Sequence, residues 1–572
     1  MIAIYIESEL EKYKNEIRYT FDFVFNTIGY EFKFITRLDQ LLNNDILFYY
    51  GLIVPSVKEA YILAMNKIIF FIPAEPSLLQ PGKLKREQLK VSEIQLEEKI
   101  PVISEQEIEV PIQFYTDTDI FYGVYKFDLI GNIFFNLIGY DEIISLKKDK
   151  HDRVPDSELI LINYRLIPFV NHLLWLIEKF IIDAVSKRDS YFLLKKEYWP
   201  QAESFAVAFS HNIDKLQKWT LSKIIKSTLE DFLVFYKIRY IINNFVSKMK
   251  FILTNIEEYW NFEIIDETEN LYRVCSTFFF GTESEIPEDI DYEIKNNDVL
   301  KEVLNNLTKG NEIALLASYK SSRNDILSRQ KKSITGITGT DKIGIRHIYK
   351  NFDTKITAEF HKKNGFAYDS SRGFIQNIGF KYGIAFPYHR FSFTKKAMNS
   401  FNNSKYLEIP PIFCDNALKI SKMKILPFEK AKELIDNILE AFEKTNGLLT
   451  FNFSISNFTE IPYNKQLFSH ILEEIIPGNV FIATFMEIAD WWKQRESVEI
   501  KEKEDEISIY FPQKMDKCCF TLLGNYHIFT IVGAINKLKD NKIFLSDIKA
   551  DTTVKIRLEK PEISDKTEQE KQ

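Results

Sequence analysis

Phe205–Trp219 reads FAVAFSHNIDKLQKW, and its first half decides the fold class. The apolar run Phe205–Phe209 stops at Ser-His-Asn-Ile-Asp, and the residues after it take up a helical pattern. Such a run is a buried strand of an α/β fold, and polar side chains at its carboxyl end stand where those folds place their chemistry. Similar runs at Ile313–Leu316, Leu448–Phe453 and Val480–Phe485 alternate with helical segments, the pattern of a sheet or barrel between about 196 and 496.

On the amino-terminal side, strand Ile2–Ile6, an amphipathic helix over Glu7–Ile28 and strand Glu31–Ile35 open a β-α-β arrangement in residues 1–195. Ser92–Val110 is polar, carries Pro101, and reads as a surface connection. Phe127, Ile130, Phe134, Leu137 and Ile138 share one helix face within Phe127–Ile143, and a second apolar helix covers Ile167–Ile182. Ser321–Asp341 reads as an exposed loop. On the carboxyl side, the short strands EISIYF, CCFTLLG and HIFTIVGAI predict an all-β appendage over 497–560, and 561–572 is polar enough to be disordered.

A chain of 572 residues exceeds one ordinary core, so two to four domains are expected. A net charge of −7 argues against a general nucleic-acid binder. Cys275, Cys414, Cys518 and Cys519 lack zinc-type spacing and read as reduced, buried thiols. No apolar run reaches the roughly 18 residues a membrane span needs, and the first residues lack signal-peptide features, so a cytoplasmic location with no membrane span is expected.

The opening stretch resembles the first motif of the polysaccharide deacetylase (NodB-homology) family, a strand followed by H-D-x-D. GFAYDSSRGFIQNIGFKYGIAFP (Gly365–Pro387), LEIPPIFCD (Leu407–Asp415), GLLTFNFSISNF (Gly447–Phe458) and FIATFMEIADWWKQR (Phe481–Arg495) follow in the order that family has. FDLIGNIFFNLIGYDEI and the HDR-x-P segment at His151–Pro155 resemble an N-terminal domain of unknown function found in a bacterial subset of it. The resemblance implies a distorted (β/α) barrel whose Asp and two His hold zinc or another divalent metal. A second Asp then takes a proton from water, and a late His serves as acid.

The departures bear on that chemistry. Asn212 stands at the base position, and an amide cannot accept a proton at neutral pH. Leu316 replaces a ligand His, Ser454 replaces the acid His, and Asp214 keeps a metal position. The chain thus resembles a degenerate, non-catalytic member that binds a glycan, a sugar precursor or polysaccharide-biosynthesis proteins, with no cofactor and no nucleic acid. A divergent metal-dependent N-deacetylase with a rebuilt site is the alternative, and a structural assembly component is a third reading.

His211 and Asp214 read as a remnant site or as local caps of the next helix. Arg346 suits an anionic or sugar ligand, or an ion pair. Asp369 and Arg372 read as functional or, in preference, as part of a tight turn. His347, His361 and His389 could rebuild a metal site with Asp214. Trp491 and Trp492 read as packing residues.

Overall fold

A computed structural model describes the chain except residues 43–44, 56–66, 105, 118–119, 189–190, 234–237, 285, 288, 322–325, 394–405, 422–423, 443–444, 504 and 561–572. The expected disordered tail lies outside the described residues. The chain forms two compact units: one of residues 1–140, 169–203 and 490–572, the other of 141–168 and 204–489. These borders differ from the consecutive blocks 1–195, 196–496 and 497–560 that the sequence suggests. The main reason is a long-range strand pairing described below.

The first unit holds a six-stranded sheet. Strands Phe32–Ile35, Ile2–Ile6, Ile46–Gly51, Ile68–Pro73 and Ile120–Tyr125 run parallel in that order, with Ile112–Asp117 antiparallel at the edge. The helix expected over Glu7–Ile28 is divided into a 3-10 turn, Ser8–Tyr13, and an α-helix, Lys14–Ile28. Ile17, Phe21, Val24, Phe25 and Ile28 recur at helical spacing and are buried. Gly29 ends this helix at φ 90°, a conformation that favours glycine, and a Cβ there would meet the Lys196 carbonyl oxygen at 2.2 Å. Helix Leu129–Ile138 begins where the Asp128 carboxylate accepts the Gly131 N–H.

Ser92–Val110, expected as a surface connection, instead contains a hairpin of Val91–Gln95 and Lys99–Ile103. Ile94, Ile100 and Val102 are buried, so the alternation of apolar residues outweighs Pro101. A two-stranded ribbon has a free edge toward which a missing N–H can point.

The expected carboxyl-terminal strands form two four-stranded antiparallel sheets. One contains Glu499–Lys503, Glu506–Phe511, Thr552–Glu559 and His527–Val532. The other contains Ile535–Lys539, Lys542–Ile548 and Met515–Gly524, and its fourth strand is Phe192–Lys196 from far upstream. Cys518 and Cys519 are buried on this sheet, whereas Cys275 in the second unit is exposed, contrary to the expectation for it. Trp491 and Trp492 are buried, with Trp492 tilted against Trp199.

The second unit is built on a curled sheet of nine parallel strands. Its order is Leu407–Glu408, Tyr368–Asp369, Ile345–His347, Glu312–Ala317, Thr277–Phe280, Phe205–Ile213, Leu448–Ser454 and Phe413–Cys414. Val480–Ile482 lies beside the start of Phe205–Ile213. The two outermost strands are separated in sequence only by Ile-Pro-Pro-Ile, and prolines 410 and 411 bring no N–H to a ladder. The Thr450 hydroxyl substitutes locally, donating to Pro410 O at 2.7 Å and accepting from Ile412 N at 2.9 Å. One sheet face packs Phe209, Phe451 and Phe453 against Ile435, Phe468 and Ile471 of the surrounding helices.

Ser321–Asp341 is not a loop throughout: Leu327–Thr338 is a helix that buries Leu327, Gln330 and Ile334. Those three residues share a face, a period hidden among the charges around them. Among the described residues no helix is long and apolar enough to cross a membrane.

Candidate functional site

Side chains alternate across a strand, and this alternation sorts the candidate residues. On Phe205–Ile213, Phe209 and His211 face the helices, whereas Ser210 and Asn212 face the concave side. Register carries the same parity to the next strand, pairing Ser210 with Asn452 and Asn212 with Ser454. Arg346, three strands away, reaches this face: its Nη1 donates to Ser210 Oγ at 3.1 Å, to Asn212 Oδ1 at 2.9 Å and to Asn452 Oδ1. Its Nε donates to Ser370 O at 3.0 Å, its Nη2 to Ser370 Oγ at 3.1 Å, and its Cζ lies 3.9 Å from the Phe279 ring centre. Burial pushes the guanidinium down to about 10, so it stays charged at neutral pH. These partners are neutral oxygens, and through them Arg346 cross-braces the strands.

Beside this centre, Asp415 is wholly buried. Its carboxylate accepts from Ser454 N at 3.1 Å, Asn457 Nδ2 at 2.7 Å and Asn464 Nδ2 at 2.9 Å. Asn416 Nδ2 donates to Ser454 Oγ at 3.1 Å, and Asn457 Nδ2 is also 3.0 Å from Asn416 Oδ1. Burial raises Asp415 to about 6 against the pull of those donors. Asn212 and Asp214 are half-buried and Asn416 is exposed, so these three line the accessible rim.

Asp214 accepts the Lys215 N–H at 3.0 Å, and burial raises its carboxyl while Lys215 and Lys419 draw it down. Leu316, 2 % exposed, is on the face of Arg346 by register. His211 is turned away from both. Its Nε2 lies 2.9 Å from Glu269 Oε1 among the rings of Phe278 and Phe468.

A zinc ion needs nitrogen, sulfur or carboxylate donors converging at about 2.0–2.3 Å. Here Asp214 offers one carboxylate, Leu316 offers nothing, and His211 is committed elsewhere, so the donor set does not fit the metal that the sequence resemblance implies. Among the described residues no group of three or more His, Cys, Asp or Glu is arranged to hold a metal ion.

The opposite sheet face carries a second polar cluster. Asp369 pairs in register with Glu408, and both are wholly buried. Asp369 accepts from Ser371 Oγ at 2.6 Å, which fits the tight turn expected there, and is raised to about 6 by burial. Glu408 is raised further by burial and by Asp369, with Arg390 Nη1 at 3.8 Å opposing. Arg372 donates to Tyr388 OH at 2.9 Å and lies 3.5 Å from Glu142. His347 and His361 are neighbours, Nε2 to Nε2 2.8 Å, and burial holds both below the usual imidazole range. His361 Nδ1 is 2.8 Å from Tyr406 OH, and His389 Nδ1 is 3.0 Å from Tyr406 O. His361 thus meets both His347 and the Tyr406 hydroxyl, His389 meets the Tyr406 carbonyl, and Asp214 follows the strand whose Asn212 serves the other face.

Residues 4–185 match DUF7033, a family of unknown function. No curated protein matches the sequence. Among solved structures, a Mycobacterium smegmatis protein described as a polysaccharide deacetylase is similar at 15% identity over 52% of this chain and 93% of its own, with a TM-score of 0.35. A Pseudomonas aeruginosa PAO1 protein of the same description is 14% identical over 52% and 93%, with a TM-score of 0.33. An allantoinase is 13% identical over the same shares, with a TM-score of 0.34. This half-chain likeness is distant.

Sequence reasoning missed Asn452, Asn457, Asn464, Glu408, Arg390 and Glu142. The alternation Phe-Asn-Phe-Ser at 451–454 is a signal for Asn452, because every second residue must share a face. Glu408 is a lone charge in the apolar run LEIPPIF, which marks it as a buried, partnered carboxylate.

Proposed function

We propose that the curled-sheet unit is a non-catalytic, deacetylase-like module that binds a glycan or sugar precursor at the rim formed by Asn212, Asp214 and Asn416. The observation that carries this reading is the commitment of the reactive positions. Asn212 Oδ1 is taken by Arg346 at 2.9 Å, and Ser454 Oγ is taken by Asn416 at 3.1 Å. A hydrolase needs a free base and an acid at such positions. What remains at the rim is amide and carboxylate, groups that recognise sugar hydroxyls and acetamides by hydrogen bonding. Work beside polysaccharide-assembly proteins follows from the same reading.

The test is calorimetry on chelator-stripped protein, with zinc and with N-acetylated oligosaccharides, plus an acetate-release assay. Oligosaccharide binding that weakens in Asn416→Ala, without acetate release, supports the module. One-to-one zinc binding and acetate release, both lost in Asp214→Ala, replace it with a rebuilt deacetylase.

A further inference from the structure

Helices Leu221–Leu233 and Ile238–Thr254 turn the usual order of a surface helix inside out. In helix Leu221–Leu233, Leu221, Ile225 and Leu229 recur every four residues and are 64–78 % exposed. In helix Ile238–Thr254, Ile238, Ile242, Phe245, Met249, Ile252 and Leu253 form a second outward stripe, with Phe245 61 % and Leu253 75 % exposed.

The polar residues point the other way. Lys248 Nζ and Asn244 Nδ2 donate to Asp231 at 2.6 and 2.9 Å, and Trp219 Nε1 donates to Ser247 Oγ at 2.7 Å. Ser247 Oγ in turn donates to Glu258 at 2.7 Å. A soluble helix hides its apolar stripe and wets its polar one. Here the polar face is internally bonded and the apolar face is left outward. Scattered exposed apolar residues would mean little, but two continuous stripes form a patch of the kind that marks an interaction surface.

Charge and composition select the occupant. Residues 220–256 carry six Lys or Arg against two acidic residues, in a chain of net charge −7. Lys226 and Lys250 are exposed beside the stripes. Two copies meeting through this face would bring like charges together. The exposed apolar residues are Leu, Ile, Val, Met and Phe, without the Tyr and Trp that anchor protein interfaces. Helices of 13 and 17 residues fall short of a span, which fits elements lying in the plane of an interface.

We propose that the outward faces of Leu221–Leu233 and Ile238–Thr254 seat on an anionic lipid bilayer, their aliphatic side chains entering the headgroup boundary and their lysines meeting anionic lipid. This seat stands apart from the glycan reading, and either can fail alone.

The test is flotation of the full chain with vesicles of phosphatidylcholine alone and of phosphatidylcholine mixed with phosphatidylglycerol. The protein is expected to float with the mixed vesicles, to be released by high salt, and to stay behind with the neutral ones. Ile242→Ser/Phe245→Ser/Leu253→Ser should lower partition roughly tenfold or more, since burial of apolar area drives insertion. Lys226→Glu/Lys250→Glu should lower it several-fold. The substituted positions are exposed, and circular dichroism checks the fold. Hydrogen exchange of the unaltered protein supplies a second readout, with 221–256 slowed by mixed vesicles. No flotation, flotation unchanged in the triple variant, or equal binding to neutral vesicles overturns the proposal. Self-association that the triple variant abolishes, without vesicle binding, assigns the face to a second copy.

Discussion

Asp415 illustrates how one side chain ties a strand end to two helices. Its oxygens take an N–H from Ser454 and amide hydrogens from Asn457 and Asn464, so a carboxylate is the only common side chain that suits all three donors. Burial nonetheless raises it from the ordinary value to about 6. An acid whose folded value lies above its unfolded value binds its proton more tightly in the native state. Its contribution to stability is therefore fully present below the unfolded value and fades as pH rises through the folded one. At about 1.4 kcal/mol per unit, the loss between pH ~4 and ~6.5 is about 2–3 kcal/mol. Urea unfolding of the native protein and Asp415→Asn across that range checks it. The stability advantage of the native protein over the variant should shrink as pH rises, and a flat or growing difference would refute the assignment.

Among the elements, strand Ile345–His347 shows what the sequence makes legible. Arg346 stands out as a charge inside a strand-like segment, and its convergence with Asn212 follows once both lie on a parallel sheet. Parity separates the other candidates. Asp369 is in register with Ile345, so it shares a face with His347 and not with Arg346. His211 is one residue from Asn212 and therefore faces the helices. A one-residue offset decides which face a residue serves, and motif order alone does not carry that information. Helix Leu327–Thr338 and the Val91–Ile103 hairpin were hidden for a related reason: weak local signals were fixed by burial against distant partners. Gly344 tests the packing of this region. A Cβ there would come within 1.9 Å of the Tyr368 ring, whose hydroxyl donates to Glu312 at 2.6 Å. Gly344→Ala should displace Tyr368, strand a half-buried carboxylate oxygen and cost about 2–4 kcal/mol. A thermal melt reads this as a lowered Tm, and an unchanged Tm would show that the ring has room to yield.

At the scale of the whole molecule, the chain passes between its two units four times, and each unit is completed by sequence far from its start. Local patterns identified the sheets of both units but could not say that Phe192–Lys196 pairs with Phe520–Gly524, more than three hundred residues later. That pairing makes the last strands part of the first unit and not a removable appendage. Arg495 adds to the dependence: its guanidinium donates to the carbonyls of Asn26, Thr27, Lys196 and Glu197 within the same unit. Lys196, in turn, reaches Glu31 at 2.7 Å. Deleting 497–560 would leave Phe192–Lys196 without its ladder and expose Leu193 and Leu194, both buried in the intact chain. The first unit should then lose cooperative unfolding. The strands of the second unit, whose ladders run only within 205–482, should keep theirs. Hydrogen exchange resolves the two outcomes in one experiment. Fast exchange across Ile2–Ile6 and Ile46–Gly51, with slow exchange retained at Phe205–Ile213 and Leu448–Ser454, is the expected result. Full protection of the first unit after the deletion would mean that the carboxyl-terminal sheets are an independent domain after all.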